Sequence, residues 1–325
     1  MKKALILGGS YFIGRQLAQV LLEHGFAVYT LNRGTRKDVD PRIHLLTADR
    51  NDPEQMRAAL SGHSFDIAAD ISGLDGAQTE TVCRFLNISR LGVFVFLSSS
   101  AVYDIDKLTQ PYKETDPLKE NKYWTFYGQN KIYAEQVYTR FFIRSGIPLV
   151  ILRPPYVYGE NNYAQRESFV FEHLLNRKPI ITPKANNRIQ FIEARDLAET
   201  ILFLIGSPVT ENAAIYNVGN VHAVTFREWV ESCGRAAGIL PEIIEYDNLA
   251  HNRKARDFFP FFDYDNVLNV KKIKRFYPKE TDFIKGLEKT YGWYLHEKDN
   301  IVLKPQMTDN ERNILIEIHE TREKA

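Results

Sequence analysis

At 325 residues the chain suffices for one large core or two lobes, and its 44% hydrophobic and 26% charged content is that of an ordinary globular protein. A formal net charge of +1 excludes an overall field that would attract nucleic acid or membrane, although a local patch remains open. The only two cysteines, Cys83 and Cys233, form neither a disulfide nor a metal framework, which fits a reducing compartment. The apolar run after Met1-Lys2-Lys3 is too short for a signal peptide, and no later stretch reaches membrane-spanning length, so a cytoplasmic protein without membrane association is expected.

The first half alternates in a strand–helix rhythm. Ala4–Leu7 is a short apolar run ending in Gly8-Gly9, as expected of a buried parallel strand. Ile13, Leu17, Val20 and Leu21 then recur at helical spacing until Gly25 stops the helix. Further strands are expected at Ala27–Leu31, His44–Ala48, Phe65–Ile71, Val93–Leu97 and Leu149–Leu152. Between them, helices are expected after Asp52-Pro53, near Ala77–Ser89 and from Tyr127 to Arg144. This alternation predicts an α/β fold, a doubly wound parallel sheet of the Rossmann type with a smaller C-terminal substrate lobe. Beyond Gly159 the rhythm breaks. A strand is expected at Arg188–Glu193, a helix capped by Asp196, a helix capped by Thr225, and a strand at Ile243–Tyr246. Residues 1–159 and 188–220 are assigned to the dinucleotide-binding domain, 160–187 and 221–304 to the substrate lobe, and 305–325 to a helical tail.

Gly8-Gly9-Ser10-Tyr11-Phe12-Ile13-Gly14 joins the first strand to the first helix. A helix start there offers unpaired N–H groups and a positive dipole end to a pyrophosphate. Gly8 permits the tight turn and Gly14 close helix–strand packing; an ordinary Gly-Gly turn is the plain alternative. Where the second strand ends, a carboxylate would accept hydrogen bonds from the ribose hydroxyls, but the chain has Asn32-Arg33-Gly34 with Arg36 and Lys37 nearby. That favours NADP over NAD, the alternative being a solvated basic turn. Asp49 is placed either for an adenine edge or to cap Arg50-Asn51-Asp52. With Arg50 and Ser72, the expected cofactor-binding set is Gly8, Gly9, Tyr11, Phe12, Ile13, Gly14, Asn32, Arg33, Asp49, Arg50, Ser72 and Lys131.

Tyr-x-x-x-Lys on a helix puts both side chains on one face, where the ammonium stabilises tyrosinate for proton transfer. The spacing occurs at Tyr103/Lys107, Tyr127/Lys131 and Tyr294/Lys298. Only Tyr127/Lys131 opens a helix directly before a strand of the expected sheet. Ser98-Ser99-Ser100 ends the preceding strand, at the edge where such sheets bind ligands.

GGSYFIG, LSSSAVY, YGQNK at Tyr127–Lys131, LRPPYVYG at Leu152–Gly159 and QFIEARDLA at Gln190–Ala198 together resemble the extended short-chain dehydrogenase/reductase superfamily, the NAD-dependent epimerase/dehydratase family. The resemblance runs to about Tyr294. It implies a homodimer through the helix carrying Tyr127, and matching the family's serine to the fourth position before Tyr103 selects Ser99. Ser99, Tyr127 and Lys131 are then the catalytic set. Tyr11 stands where the family has its middle glycine, like an atypical subgroup that includes plastid RNA-binding relatives, which have often lost the catalytic tyrosine kept here. Ser100-Ala101 stand where sugar-nucleotide 4,6-dehydratases carry an acidic pair, which disfavours that elimination. Epimerisation or simple carbonyl/alcohol redox chemistry remains, on a nucleotide sugar or related small molecule. Tyr156, which replaces an asparagine near the family's substrate diphosphate, and Arg188 are the expected substrate contacts.

The competing class is a non-catalytic nucleotide- or RNA-binding member. Lys271, Lys272, Lys274 and Arg275 could serve RNA, but they alternate with Val270, Ile273 and Phe276 as a solvated helix face would, so nucleic acid is not the expected partner. The histidines show no metal-ligand spacing, and no metal is expected.

Overall fold

The computed structural model describes residues 1–36, 40–207 and 213–323. The chain divides into two compact units, the first comprising Met1–Val157, Phe191–Val221 and Val267–Glu280. Six of its strands are β1 (Lys3–Leu7), β2 (Ala27–Asn32), β3 (His44–Thr47), β4 (Ile67–Asp70), β5 (Val93–Leu97) and β6 (Leu149–Arg153). With a seventh, Ala213–Asn217, they form one sheet in the order seventh–β6–β5–β4–β1–β2–β3. Every pairing in it is parallel. Strand order reverses between β1 and β4, and a doubly wound sheet takes ligands at such a reversal, beyond its carboxyl edge.

Both faces of the sheet are covered, which is why its strands read as unbroken apolar runs. Ala4 and Ile6 point to one side, where they join Leu17, Val20 and Leu21 of α1 (Phe12–Glu23) and Leu197, Ile201 and Leu204 of the helix Ala194–Gly206. Leu5 and Leu7 point to the other side. There Met56 and Leu60 of α2 (Pro53–Leu60), Val82 of α3 (Gly76–Phe85) and Tyr138 and Phe142 of α4 (Thr125–Ser145) pack against Phe94 and Phe96. The two-residue period of the strands thus sorts α1 from α2, α3 and α4.

Two local expectations are corrected. The strand expected over 188–193 is two short strands, Arg188–Ile189 and Phe191–Glu193. The helix that follows is capped by Glu193 and not by Asp196: the Glu193 carboxylate accepts from the N–H groups of Arg195 (2.7 Å) and Asp196 (3.0 Å). The helix begins directly at the strand end, so Asp196 already lies in its first turn. Residues 267–280, which the sequence placed with the substrate lobe, fall in the first unit. They are tied there by Tyr112 N–H to the Val267 carbonyl (3.0 Å) and Asn269 N–H to the Tyr112 carbonyl (2.7 Å).

The second unit comprises Tyr158–Gln190, His222–Asn266 and Thr281–Ala325. Its core is aromatic: Trp229 lies 4.7 Å from Phe261, and Phe226 lies 5.0 Å from Phe259. Thr225 caps the helix Phe226–Ala237 in a reciprocal capping box with Glu228. Ile243–Tyr246 pairs in parallel with Ile180–Pro183. The tail is a helix over Pro305–Glu323. Among the described residues, no helix is long and apolar enough to cross a membrane.

Candidate active site

Gly8 leaves β1 at φ +99°, and a Cβ added there would stand 2.6 Å from Ser72 Cβ. A Cβ on Gly14 would stand 2.1 Å from the Gly8 carbonyl oxygen, so the first turn of α1 lies directly on the loop. Tyr11, the N-cap of α1, makes no side-chain cap bond, and the first turn holds no acid. By contrast α2 and α3 are capped by the carboxylates of Asp52 and Asp75. The start of α1 therefore keeps the amide and dipole character that attracts an anion.

A cleft of about 400 Å³ opens beside this loop. Gly8, Tyr11, Asn32, Arg33, Asp49, Arg50 and Ser72 all line it. Gly9 faces a second hollow of about 320 Å³, Phe12 and Gly14 are buried beneath the loop, and Ile13 is half-buried. Lys37 lies outside the described residues. Asn32 Oδ1 accepts from Gly34 N–H (2.9 Å) and fixes the turn after β2, whereas its buried Nδ2 has no partner among the described residues. Asp49 Oδ1 accepts from Asn51 N–H (2.9 Å). Arg36 lies over the Tyr11 ring, 5.0 Å from its centre. The unspent donor of Asn32 and the uncapped helix start fit a dinucleotide, and the volume is that of a ligand pocket.

The Ser-Tyr-Lys residues stand at the carboxyl ends of β5 and its neighbours. Of the three serines after β5, Ser98 is buried and donates to Glu135, Ser100 is buried, and Ser99 alone is half-buried. Ser99 Oγ accepts from Ala101 N–H (3.2 Å) and starts the single helical turn Ser100–Val102. A residue that sequence reasoning missed, buried Asn121, joins that turn to α4. Its Nδ2 donates to the carbonyls of Ala101 (2.9 Å) and Tyr103 (3.3 Å), and its Oδ1 accepts from Tyr123 and Trp124 N–H. A Cβ on Gly128 would stand 2.6 Å from the Ala101 carbonyl, so the approach of α4 to the serine turn demands glycine beside Tyr127. Thr125, the first residue of α4, holds φ +40°, a strained conformation of the kind concentrated at functional sites. Tyr127 is 38% exposed, with its ring 5.6 Å from that of Trp124.

One helical turn on, Lys131 is buried, and its ammonium donates to the carbonyls of Gly73 (2.6 Å) and Leu97 (2.8 Å). Burial pushes its pKa down to about 8, against the pull of Asp70. The other two Tyr-x-x-x-Lys pairs lie elsewhere. Burial raises the Tyr103 hydroxyl to about 12, and that hydroxyl bonds Asn217. Tyr294 and Lys298 lie in the second unit.

Sequence reasoning also missed two ion pairs with buried carboxylates. Arg50 holds Asp70 through both terminal nitrogens (2.6 and 2.7 Å) and donates to Ser72 Oγ (2.7 Å). Arg153 holds Glu135 of α4 through Nε and one terminal nitrogen (2.9 and 2.6 Å). Charged residues closing apolar strands were the available signal: Asp70 ends β4 and Arg153 ends β6. Tyr156 is buried in the first unit, with its ring 6.1 Å from Phe191. Arg188, in the second unit, is forked to Asp265 (3.1 and 3.0 Å).

The chain is 28% identical over 310 residues to the chloroplast stem-loop binding protein of 41 kDa b from Arabidopsis thaliana, covering 89% of this chain and 78% of that one. It is 26% identical over 227 residues to a putative UDP-glucose 4-epimerase of Methanocaldococcus jannaschii, covering 62% and 72%. Its fold matches the Bordetella bronchiseptica enzyme WbmH, solved in complex with NAD+, at a TM-score of 0.73 and 18% identity over 91% of this chain and 99% of that one. The model of the NAD dependent epimerase/dehydratase family spans residues 4–219, and on that match the chain belongs to this family.

Proposed function

We propose that the protein binds NADP(H) in preference to NAD(H) beside the glycine loop, and that it epimerises or reduces and oxidises a nucleotide sugar or related alcohol with Tyr127 as general acid/base. The observation that carries this reading is Lys131: a buried ammonium, one turn from Tyr127, that donates to two backbone carbonyls and lies 5.0 Å from the centre of the Phe96 ring. A bound nicotinamide supplies hydride exchange. Gly8, Asn32, Arg33, Asp49 and Ser72 hold the dinucleotide, with Arg33 offering the charge that a 2′-phosphate needs. Tyr127 gives or takes the proton at the reacting oxygen, Lys131 favours its tyrosinate, and Ser99 hydrogen-bonds the same oxygen. Ser100 and Ala101, both buried, provide no acid–base pair for a 4,6-elimination. Phe126 (79% exposed) and Tyr133 (50%) on α4 support a homodimer through that helix.

Fluorescence titration with NADPH and NADH tests the reading. Arg33→Ala weakens NADPH alone, by about 1.5–3 kcal/mol for a charge-assisted bond, and equal wild-type affinities refute the preference. On a turning-over substrate Tyr127→Phe loses about 10²–10⁴-fold in rate, and an undiminished rate refutes its role.

The name of the Arabidopsis relative favours RNA binding as a second reading. The basic segment gives it little support: Lys272 donates to the Ile215 carbonyl (3.0 Å), and Lys274 pairs with Glu280 (2.7 Å). Tight, salt-sensitive RNA binding without turnover would establish that reading instead.

A further inference from the structure

Asp70 is fully buried at the end of β4. A carboxylate in that position is costly unless it is paired and hydrogen-bonded, and this one has five donors. Two are the Arg50 terminal nitrogens, one is the Tyr138 hydroxyl, and two are the backbone N–H groups of Ser72 (3.1 Å) and Gly73 (2.8 Å). The last two shape a turn whose next group, the Gly73 carbonyl, takes the Lys131 ammonium. A Cβ on Gly73 would stand 2.5 Å from Asp70 Oδ2, so the turn is built around the carboxylate. Tyr138 lies two helical turns beyond Lys131 on α4, so the same carboxylate anchors the helix that carries the lysine.

Both direct acceptors of the Lys131 ammonium are neutral carbonyls, which orient a buried cation without neutralising it. We propose that Asp70 is a positioning residue: it supplies the countercharge that keeps Lys131 an ammonium, and it holds the Ser72–Gly73 turn that seats that ammonium. Its bearing on catalysis rests on the reading that Lys131 serves the dinucleotide and Tyr127. The charged groups acting on Lys131 are Asp70 on β4, Arg50 after β3 and Glu135 on α4, and Tyr127 is the titratable group one turn before it. Asp70 and Glu135 favour the ammonium, while Arg50 and burial oppose it.

The test follows the Lys131 Cε signal by NMR across pH in the full chain labelled with 13Cε-lysine, assigned by its loss in Lys131→Arg. The wild type titrates near pH 8. Asp70→Asn lowers the proton affinity of Lys131 by about tenfold or more, whereas Arg50→Met raises it, because one removes the attracting charge and the other the repelling one. A merely structural Asp70 would lower thermal stability and leave the midpoint in place. Should Asp70→Asn fail to fold with Arg50 stranded, the double variant Arg50→Met/Asp70→Asn serves, and it must titrate below Arg50→Met. The parallel readout is NADPH affinity. In the Asp70→Asn background it falls about fivefold at pH 8, where the protonated share of Lys131 drops from about one half to about one tenth, and recovers at pH 6, where Lys131 regains its proton. Midpoints that stay put, or that move in the same direction in Asp70→Asn and Arg50→Met, overturn the proposal. Midpoints that move as stated in a protein that binds no dinucleotide overturn the cofactor reading alone and leave the Asp70–Lys131 coupling standing.

Discussion

Two arginine–carboxylate pairs stand at the carboxyl edge of the same sheet, each closed at 2.6 Å, one buried throughout and one with a half-buried arginine, and the two are finished differently. Around Arg153 and Glu135 the polar chain is closed. Ser98 donates to Glu135, and Arg153 donates to the Tyr103 hydroxyl and the Glu114 carbonyl (both 3.1 Å). Tyr103 passes on to Asn217 Oδ1 (2.6 Å), whose Nδ2 ends on the Tyr112 carbonyl (2.9 Å). This pair clamps β5, β6, the seventh strand and α4 together. Around Arg50 and Asp70 the chain is open. Arg50 lines the dinucleotide-sized cleft, its buried Nε has no partner among the described residues, and a third charge, Lys131, stands beside Asp70. The same pair chemistry thus serves as architecture where every polar atom is satisfied, and as site chemistry where some are not.

The largest expected effect breaks the closed pair. Glu135→Gln strands the Arg153 charge in the core and costs about 3–5 kcal/mol of stability by urea unfolding; a loss under 1 kcal/mol would mean that Arg153 reaches water. Next comes the charge that only the open region contains. Because the folded Lys131 pKa is depressed, the unfolded chain holds a proton between pH 8 and about 10.5 that the folded chain has lost, so stability rises with pH across that window. Lys131→Met removes this contribution, about 3 kcal/mol in all, and an unchanged slope above pH 8 would place the titration elsewhere. Tyr138→Phe deletes one hydroxyl from Asp70 and costs about 2 kcal/mol, with a detectable change in the Lys131 midpoint. Ser98→Ala deletes the equivalent hydroxyl from Glu135, which keeps its arginine fork. It costs about 1 kcal/mol and leaves the Lys131 midpoint unmoved. Identical midpoint changes in these last two variants would erase the distinction between the regions.

What depends on neighbours along the chain was legible in the residues alone. Apolar runs marked β1, β5 and β6; helical periodicity marked α1; the four-residue spacing of Tyr127 and Lys131 put both on one face of α4. The glycine loop was legible because a tight turn into a helix leaves its mark within seven residues. Contacts between distant segments came from packing. Gly73 meets Lys131 across 58 positions, Asp70 meets Tyr138 across 68, and Tyr103 meets Asn217 across 114. Residues 267–280 joined the first unit through hydrogen bonds to Tyr112, which no local pattern announces. Arg50, one of the expected cofactor contacts, lines the cleft, and its terminal nitrogens are held by Asp70 and Ser72. Local patterning fixes which side chains face the core. A buried charge, however, takes its partner from whatever the packed sheet brings within hydrogen-bond reach, and that choice exists only once the strands are side by side.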